Sequence, residues 1–126
     1  HICLDLGEDQ FTRGRPHPMI DPMTRSEYFE STVDESTAIV LVDVVLGYGS
    51  YADPAGAVVE SIELARERLT TAGKDFVLVA SVTGTDQDPQ DLFKSIKKLE
   101  DTGFIVMPSN AQAVRLTDRI MKAAGL

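Results

Sequence analysis

The most constraining feature of the sequence is an apolar run, Ile39–Leu46, which is interrupted only by Asp43. An unbroken, largely β-branched run of this length predicts a strand that is covered on both faces. Gly47 and Gly49 follow the run, and Asp53 then begins a helix. The order strand, glycine loop, helix is typical of an open α/β sheet, in which ligands bind outside the carboxyl ends of the strands.

The rest of the chain continues this alternation of strands and helices. Periodicity and helix-stop signals predict three further strands and four helices. The strands are Ile2–Leu6, Lys74–Val82 and Phe104–Met107, and the helices are Pro22–Val33, Pro54–Ala72, Pro89–Thr102 and Asn110–Ala124. Short loops between alternating elements indicate a parallel sheet with helices on both faces.

Two of these strands, Ile39–Leu46 and Phe76–Val82, are apolar enough to be buried on both faces. Each should therefore pair with another strand on both sides. A sheet of only four strands barely allows this, so a further strand from outside this chain is expected. The chain also begins with His1 rather than Met. We therefore expect a single domain over residues 1–126 that is a fragment of a longer chain, with a sheet that is incomplete on its N-terminal side.

Three predicted helices begin with the same dipeptide, in which an aspartate precedes a proline. Asp21, Asp53 and Asp88 are each expected to accept hydrogen bonds from N–H groups of the first helical turn. The proline at the next position lacks an N–H group that would be unpaired there in any case. Each cap should contribute about 1 kcal/mol, and Ser109 is a candidate cap for the last helix.

Composition excludes several classes of function. The 126 residues carry 12 basic and 20 acidic side chains, a formal charge of −8, and 43% are hydrophobic. Without a basic run, nucleic-acid binding is not expected, and an acidic surface disfavours anionic membranes. No apolar run approaches the roughly 18 residues of a membrane helix. The single cysteine, Cys3, is expected to be a buried packing thiol, which suits a cytoplasmic protein.

Two loops after predicted strands are candidate anion-binding segments. Gly47 and Gly49 follow one strand, and Thr83, Gly84 and Thr85 follow the next. Backbone N–H groups and helix N-termini at such a sheet edge favour phosphate or carboxylate. The signal is not specific, because neither a phosphate loop nor G-x-G-x-x-G is present.

His17 and Asp43 are the candidate catalytic residues. His17 lies in a proline-stiffened loop with Arg13 and Arg15, so an imidazole acid or base could act beside arginines that bind an anion. A loop histidine that bonds only to backbone or water is the alternative. Asp43 needs a partner inside its strand, and either a role near the site or a structural hydrogen bond satisfies that need. No residues show metal-ligand spacing, so no metal is expected.

Four segments carry a resemblance to a known family. They are similar, in order and without large gaps, to the C-terminal domain of FdrA proteins, which are related to the α subunit of succinyl-CoA synthetase. The segments are G-R-P-H-P-M-I-D-P (Gly14–Pro22), L-V-D-V-V-L-G-Y-G (Leu41–Gly49), A-D-P-A (Ala52–Ala55) and V-T-G-T-D-Q-D-P-Q (Val82–Gln90). The resemblance implies a flavodoxin-like fold of the CoA-ligase type, preceded in the family by a strand and a phosphate-facing helix.

Departures from the family pattern concern the phosphorylated histidine of the synthetases. The family places it in a G-H-A-G motif, but the corresponding loop, Thr83–Asp88, holds no histidine. The glutamate that holds the phosphohistidine aligns with Val44, one residue after Asp43. A shift of one residue along a strand points the side chain to the other face. Phosphohistidine chemistry is therefore not expected in this domain.

Three functions remain open at the level of sequence. The resemblance implies an acyl-CoA synthetase-like domain that handles a small acyl or acyl-phosphate group, with CoA and nucleoside triphosphate bound through other domains. It also allows a component of a carbamoyltransferase that converts oxalurate and phosphate to oxamate and carbamoyl phosphate. A non-catalytic binding or assembly module is the third hypothesis. In each case we expect the missing N-terminal part or a partner subunit to complete the protein, as a homo- or hetero-oligomer.

Overall fold

The computed structural model describes residues 1–70 and 73–126, which form a parallel sheet with flanking helices. In chain order the elements are α1 (Asp9–Thr12), α2 (Met23–Thr32), β1 (Ile39–Val45), α3 (Pro54–Thr70), β2 (Val77–Thr83), α4 (Leu92–Asp101), β3 (Ile105–Met107) and α5 (Asn110–Ala124). The strands pair in the order β1-β2-β3, with Asp43 beside Ser81 and Ser81 beside Met107. This arrangement confirms the predicted α/β class and its parallel sheet.

The main core lies between the sheet and α3 and α4. One face of α3, whose residues follow one another at helical spacing, is buried and packs against one face of β1 and β2. These core residues are Val58, Ile62, Ala65 and Leu69 from α3 and Val40, Val44, Leu78 and Ala80 from the strands. On the opposite face α5 covers β2, where Val79, Ser81 and Ala113 are fully buried.

The prediction that two strands are covered on both faces holds for one of them. In β2 the four central residues, Leu78 to Ser81, are buried whichever face they point to. In β1 only one face is covered: Val44 is 0% exposed, whereas Asp43 and Val45 are exposed. The reason is position, because β1 is an edge strand of the described sheet and α5 reaches across only part of it.

Ile2–Leu6, predicted to be a strand, forms none. Its residues are exposed or half-buried and belong to no ladder among the described strands. A strand must pair its N–H and C=O groups with a neighbour, and this segment finds none here. Cys3 is consequently exposed, so the expectation of a buried thiol was wrong. The following loop contains a short helix, α1, that the sequence reading did not predict.

Two of the four predicted helix caps, Asp53 and Ser109, hold, whereas Asp21 bonds to the first turn of α2 from one position further out, because Pro22 occupies the N-cap position. The Asp53 carboxylate accepts the N–H of Gly56, Asp21 accepts that of Met23, and Ser109 accepts that of Gln112. Asp88 was wrong as a cap, because its carboxylate binds Thr85 instead. The helix α4 begins later, with Asp91 accepting the N–H of Lys94. The predicted end of α3 at Ala72 lies outside the described residues.

Candidate functional site

Three loops meet at the carboxyl end of β1 and β2, and we call residues 14–22, 47–53 and 83–91 the three-loop rim. The first two loops are joined by a hydrogen bond of 2.7 Å from the Tyr51 N–H to the Met19 carbonyl oxygen. At the base of the second loop the Leu46 N–H donates to the Thr83 carbonyl oxygen at 2.8 Å. The sheet thus brings loops that are far apart in sequence to one edge.

Gln90 fastens the second loop to the third. Its Nε2 group donates to the carbonyl oxygens of Gly47 and Tyr51, at 2.8 and 3.1 Å, and its Oε1 accepts the Gly47 N–H at 3.1 Å. One half-buried side chain therefore satisfies three backbone groups of the glycine loop. Ser50, in the same loop, has a buried Oγ without a hydrogen-bond partner among the described residues.

One of the predicted anion-binding residues of the third loop, Thr85, already uses its donors within the protein. The Asp88 carboxylate accepts the N–H of Thr85 at 2.6 Å and its hydroxyl at 3.2 Å. Close packing favours glycine at position 84, because a Cβ atom there would lie only 2.8 Å from the Cβ of Leu46. The conformation of this loop is thus explained by the hydrogen bonds of Thr85 to Asp88 and by the close packing of the Gly84 backbone against the Leu46 side chain.

His17 lies beside the turn that follows residues 2–6. Its Nδ1 accepts the Met19 N–H at 3.1 Å, so in the neutral ring the proton is on Nε2. A Cβ on Gly7 would lie only 2.6 Å from that Nε2. The imidazole is exposed, and it can offer an N–H group to a ligand that approaches over Gly7.

Arg13 and Arg15 are the basic residues of a groove beside α1 and α2. Together with polar residues of α1 and α2 they line an open groove of about 500 Å³ whose lining does not include the histidine. Arg15 is paired with Glu27 at 2.5 Å, and the hydrogen bond and charge of Glu27 raise the pKa of Arg15. The groove is therefore of mixed charge, and His17 is not among the residues that line it.

Asp43 is held by two side chains. The Ser81 hydroxyl donates to one carboxylate oxygen and the Asn110 side-chain amide to the other. Both partners lie on the α5 side of the sheet, and neither belongs to the loop of His17. These contacts agree with the structural alternative for Asp43, in which its carboxylate is satisfied by hydrogen bonds within the protein.

Two residues of interest were missed in the sequence reading, Gln90 and Arg25. Gln90 ends the segment Val82–Gln90 that carried the family resemblance, so its place in that motif was the available signal. Arg25 is a half-buried arginine of α2 that forms no hydrogen bond or ion pair within the described residues. Its spacing of four residues from Phe29, which packs on the core, was a signal that Arg25 faces inward.

The described residues contain neither a metal-ligating cluster nor a membrane-spanning helix. Across residues 1–70 and 73–126 no three His, Cys, Asp or Glu side chains are grouped so that they could hold a metal ion. None of the described helices combines the length and apolar character needed to cross a membrane.

Comparison with known proteins adds the family. The family model for CoA-ligase matches residues 1–120. Uncharacterized protein YahF of Escherichia coli (strain K12) is 40% identical over 111 residues, which are 87% of this chain and 22% of that protein. The chain thus spans about a fifth of the length of this relative. With a parallel α/β sheet and a family match over nearly its whole length, the chain belongs to the CoA-ligase family.

Proposed function

We propose that this chain is a domain of an FdrA-type acyl-CoA synthetase-like protein that handles a small acyl or acyl-phosphate group without a phosphohistidine of its own. Family membership supports the ligase class. The observation that carries the second part is the loop after β2, where Asp88 binds both donors of Thr85 and no histidine is present. The loop therefore offers a phosphoryl group no histidine to attach to, and the donors of Thr85 are already used.

The family implies CoA, and two rim residues that were expected to bind phosphate already use their donors within the protein. The Gly47 N–H is given to Gln90, and the Thr85 N–H and hydroxyl are given to Asp88. A phosphate cradle needs several unpaired N–H groups that converge on one point. We therefore assign CoA and nucleoside triphosphate to other domains of the protein, and we route no chemical step through either at this rim.

A second function, as a carbamoyltransferase component, is favoured by the tautomer of His17. In that reaction a phosphate oxygen attacks the carbamoyl carbon of oxalurate, the carbon–nitrogen bond breaks, and the leaving oxamate nitrogen takes up a proton. The proton lost by the attacking phosphate balances the one taken up by that nitrogen, and the Nε2–H of a neutral His17 is suited to donate a hydrogen bond to the carbamoyl oxygen as negative charge develops there. The third hypothesis, a binding or assembly module, is supported by the internal pairing of the rim donors.

Each of these functions requires more protein than this domain. We propose that the rest of a longer polypeptide or a partner subunit supplies the remaining groups, and that the assembly is a cytoplasmic homo- or hetero-oligomer. The open edge of β1 supports this proposal, because among the described strands β1 pairs with β2 on one side and with no strand on the other.

The test is a turnover assay on the full-length protein together with its partner subunits. We expect a small carboxylic acid, nucleoside triphosphate and CoA to give acyl-CoA, with no turnover when CoA is replaced by inorganic phosphate. Oxalurate consumption that needs phosphate and not CoA would instead establish the carbamoyltransferase. No turnover in either assay would leave the binding module as the function.

Phosphate labelling tests the absence of a phosphohistidine. After incubation with γ-labelled nucleoside triphosphate, peptides of this domain should carry no acid-labile label. His1 and His17 are its two histidines, so the variants His17→Asn and His1→Asn locate any label that does appear. Label that His17→Asn abolishes and His1→Asn retains would refute the proposal.

A further inference from the structure

The groove beside α1 and α2 has the size of a small-molecule site. Its volume is about 500 Å³, and ligand pockets commonly enclose roughly 300–1,000 Å³. Phe11 of α1 and Tyr28 of α2 form part of its wall, with ring centres 5.2 Å apart and ring planes at 86°. Both side chains are half-buried, and an edge-to-face pair of this kind holds two aromatic rings in a defined orientation. The groove therefore offers an apolar wall against which the body of a small molecule can pack.

Thr24, which also lines the groove, is a buried polar residue without a partner. It is 4% exposed, and its hydroxyl forms no hydrogen bond within residues 1–70 and 73–126. The other buried polar residues of these ranges all have partners. Ser61 and Ser95 donate to backbone carbonyl oxygens, and Ser81 donates to Asp43. Because an unpaired buried hydroxyl costs free energy, the groove is where a partner for Thr24 is missing.

The position of Thr24 in its helix explains why the protein does not supply that partner. A threonine inside a helix can donate to the carbonyl oxygen four residues earlier, as Thr32 does to Tyr28 and Thr117 to Ala113. Thr24 is the second residue of α2, so the residue four positions earlier belongs to the preceding loop. The first turn of a helix also carries the positive end of the helix dipole, which favours an acceptor with negative charge.

Arg13 gives the groove an unpaired positive charge. Within the described part of the chain, its guanidinium has no hydrogen bond or ion pair, whereas Arg15 is paired with Glu27 at 2.5 Å. The remaining lining residues are uncharged, so the lining carries one net positive charge in a chain of net charge −8. A singly charged anion neutralises this charge, and a dianion would bring a second negative charge toward Glu27.

From the apolar wall, the unpartnered hydroxyl and the unpaired cation, we propose that this groove binds a small monocarboxylate with an apolar or aromatic body. The body packs against Phe11 and Tyr28, the Thr24 hydroxyl donates to the carboxylate, and Arg13 supplies the opposite charge. A carboxylate fits this set because it accepts hydrogen bonds at both oxygens. The inference goes beyond the proposed function, since it concerns ligand binding and requires neither of the two reactions.

The experiment is a titration of the full-length protein, labelled with ¹³C at the threonine methyl groups, at constant ionic strength. Benzoate is the probe, and benzamide is its uncharged counterpart of nearly the same shape. Thr24→Val identifies the Thr24 resonance by its loss. We expect benzoate to shift this resonance saturably and to bind more tightly than benzamide or inorganic phosphate. No saturable shift at Thr24, or equal binding of benzamide or phosphate, would overturn the proposal.

Variants of the two polar residues test their separate contributions. Thr24→Val should weaken benzoate binding by about 2- to 10-fold, as expected for one lost hydrogen bond, and Thr24→Ser should retain most of the affinity because the hydroxyl remains. Arg13→Met should weaken binding by about 2- to 5-fold, since the charge is exposed to solvent. Arg119→Met, at an exposed position of α5, is the matched control and should leave binding unchanged.

Unfolding without ligand distinguishes a binding role of Thr24 from a structural one. Since the hydroxyl has no partner in the protein, its removal in Thr24→Val should not lower the urea concentration at the midpoint of unfolding. A lowered midpoint together with wild-type benzoate affinity would show a structural role and refute the inference. Absent turnover in both activity assays, with benzoate binding that depends on Thr24, would refute the proposed reactions and leave the site in place.

Discussion

At the scale of single residues, Gln90 is the side chain on which the shape of the glycine loop most depends. Replacing it in Gln90→Leu removes three hydrogen bonds and leaves the Gly47 N–H without its partner. We expect the free energy of unfolding to fall by about 1–3 kcal/mol, measured by urea denaturation. Gln87→Leu, at an exposed position of the same loop, should change it by less than about 0.5 kcal/mol.

Gly84 allows a second residue-scale test, which separates packing from ligand binding. A Cβ at this position would lie 2.8–2.9 Å from three carbons of the buried Leu46 side chain. Gly84→Ala should therefore lower the free energy of unfolding by about 1–3 kcal/mol through overpacking. Gly49→Ala is the matched control, because nothing lies within 4 Å of its Cβ position. Equal stabilities of the two variants would contradict the packing role.

The sequence was enough to identify the segments that form the candidate site, but it did not reveal which side chains contact one another there. His17 and the two loops that follow strands were predictable, since strand ends and prolines are marked in the sequence. The pairing of Arg15 with Glu27 was not predictable, because Glu27 comes from another element. The three hydrogen bonds of Gln90 join residues that are about 40 positions apart in the sequence, so only the folded chain reveals them. The half-burial of Arg25 likewise depends on the packing of α2 in the folded chain.

At the scale of elements, the start of α3 combines a helix cap with an ion pair to α4. Burial disfavours ionised Asp53, but hydrogen bonds from Lys98 and from the Gly56 N–H outweigh it, so the pKa of Asp53 lies below its ordinary 3.8. A carboxylate with a lowered pKa stabilises the fold above pH 3.8. That contribution is lost as the pH falls through the lower, folded-state value.

Two variants at Asp53 separate these contributions. Asp53→Asn keeps a capping oxygen and loses the exposed ion pair, so it should cost about 0–1 kcal/mol at pH 7. Asp53→Ala loses both interactions and should cost about 1 kcal/mol more. Denaturation at pH 7 and pH 3 should show a smaller decrease of stability for Asp53→Asn than for wild type. An equal decrease would show that Asp53 is not the titrating group.

Element boundaries were predictable where a local signal acts alone and not where two signals compete. Ser109 begins α5 as expected. The segment from Asp88 to Asp91 contains two aspartates that could each cap a helix, and the nearby Thr85 takes the first of them. The strand predicted at Ile2–Leu6 failed for a different reason: its local pattern is adequate, but the pairing that makes a strand comes from a neighbour.

At the scale of the whole molecule, the open edge of β1 is the feature that links fold to function. Ala38 and Leu46 direct backbone groups toward β2, as their hydrogen bonds to Val77 and Thr83 show. Because strand residues alternate in direction, Ile39, Leu41, Asp43 and Val45 direct their N–H and C=O groups to the outer side. An apolar edge strand of this length is prone to non-specific pairing unless another segment covers it.

The proposal that a longer polypeptide or a partner subunit completes the sheet makes a prediction for these same amides. In the 126-residue chain alone, the N–H groups of Ile39, Leu41, Asp43 and Val45 should exchange with deuterium at least about 10-fold faster than those of Val40, Val42 and Val44. In the full-length assembly, an added strand should slow the outer set to the rate of the inner set. The inner set, already bonded to β2, is the internal control. Fast exchange of the outer set in the assembly would mean that β1 remains an edge. The exposed Asp43 would then face solvent, and the remaining domains would contact the rim without extending the sheet.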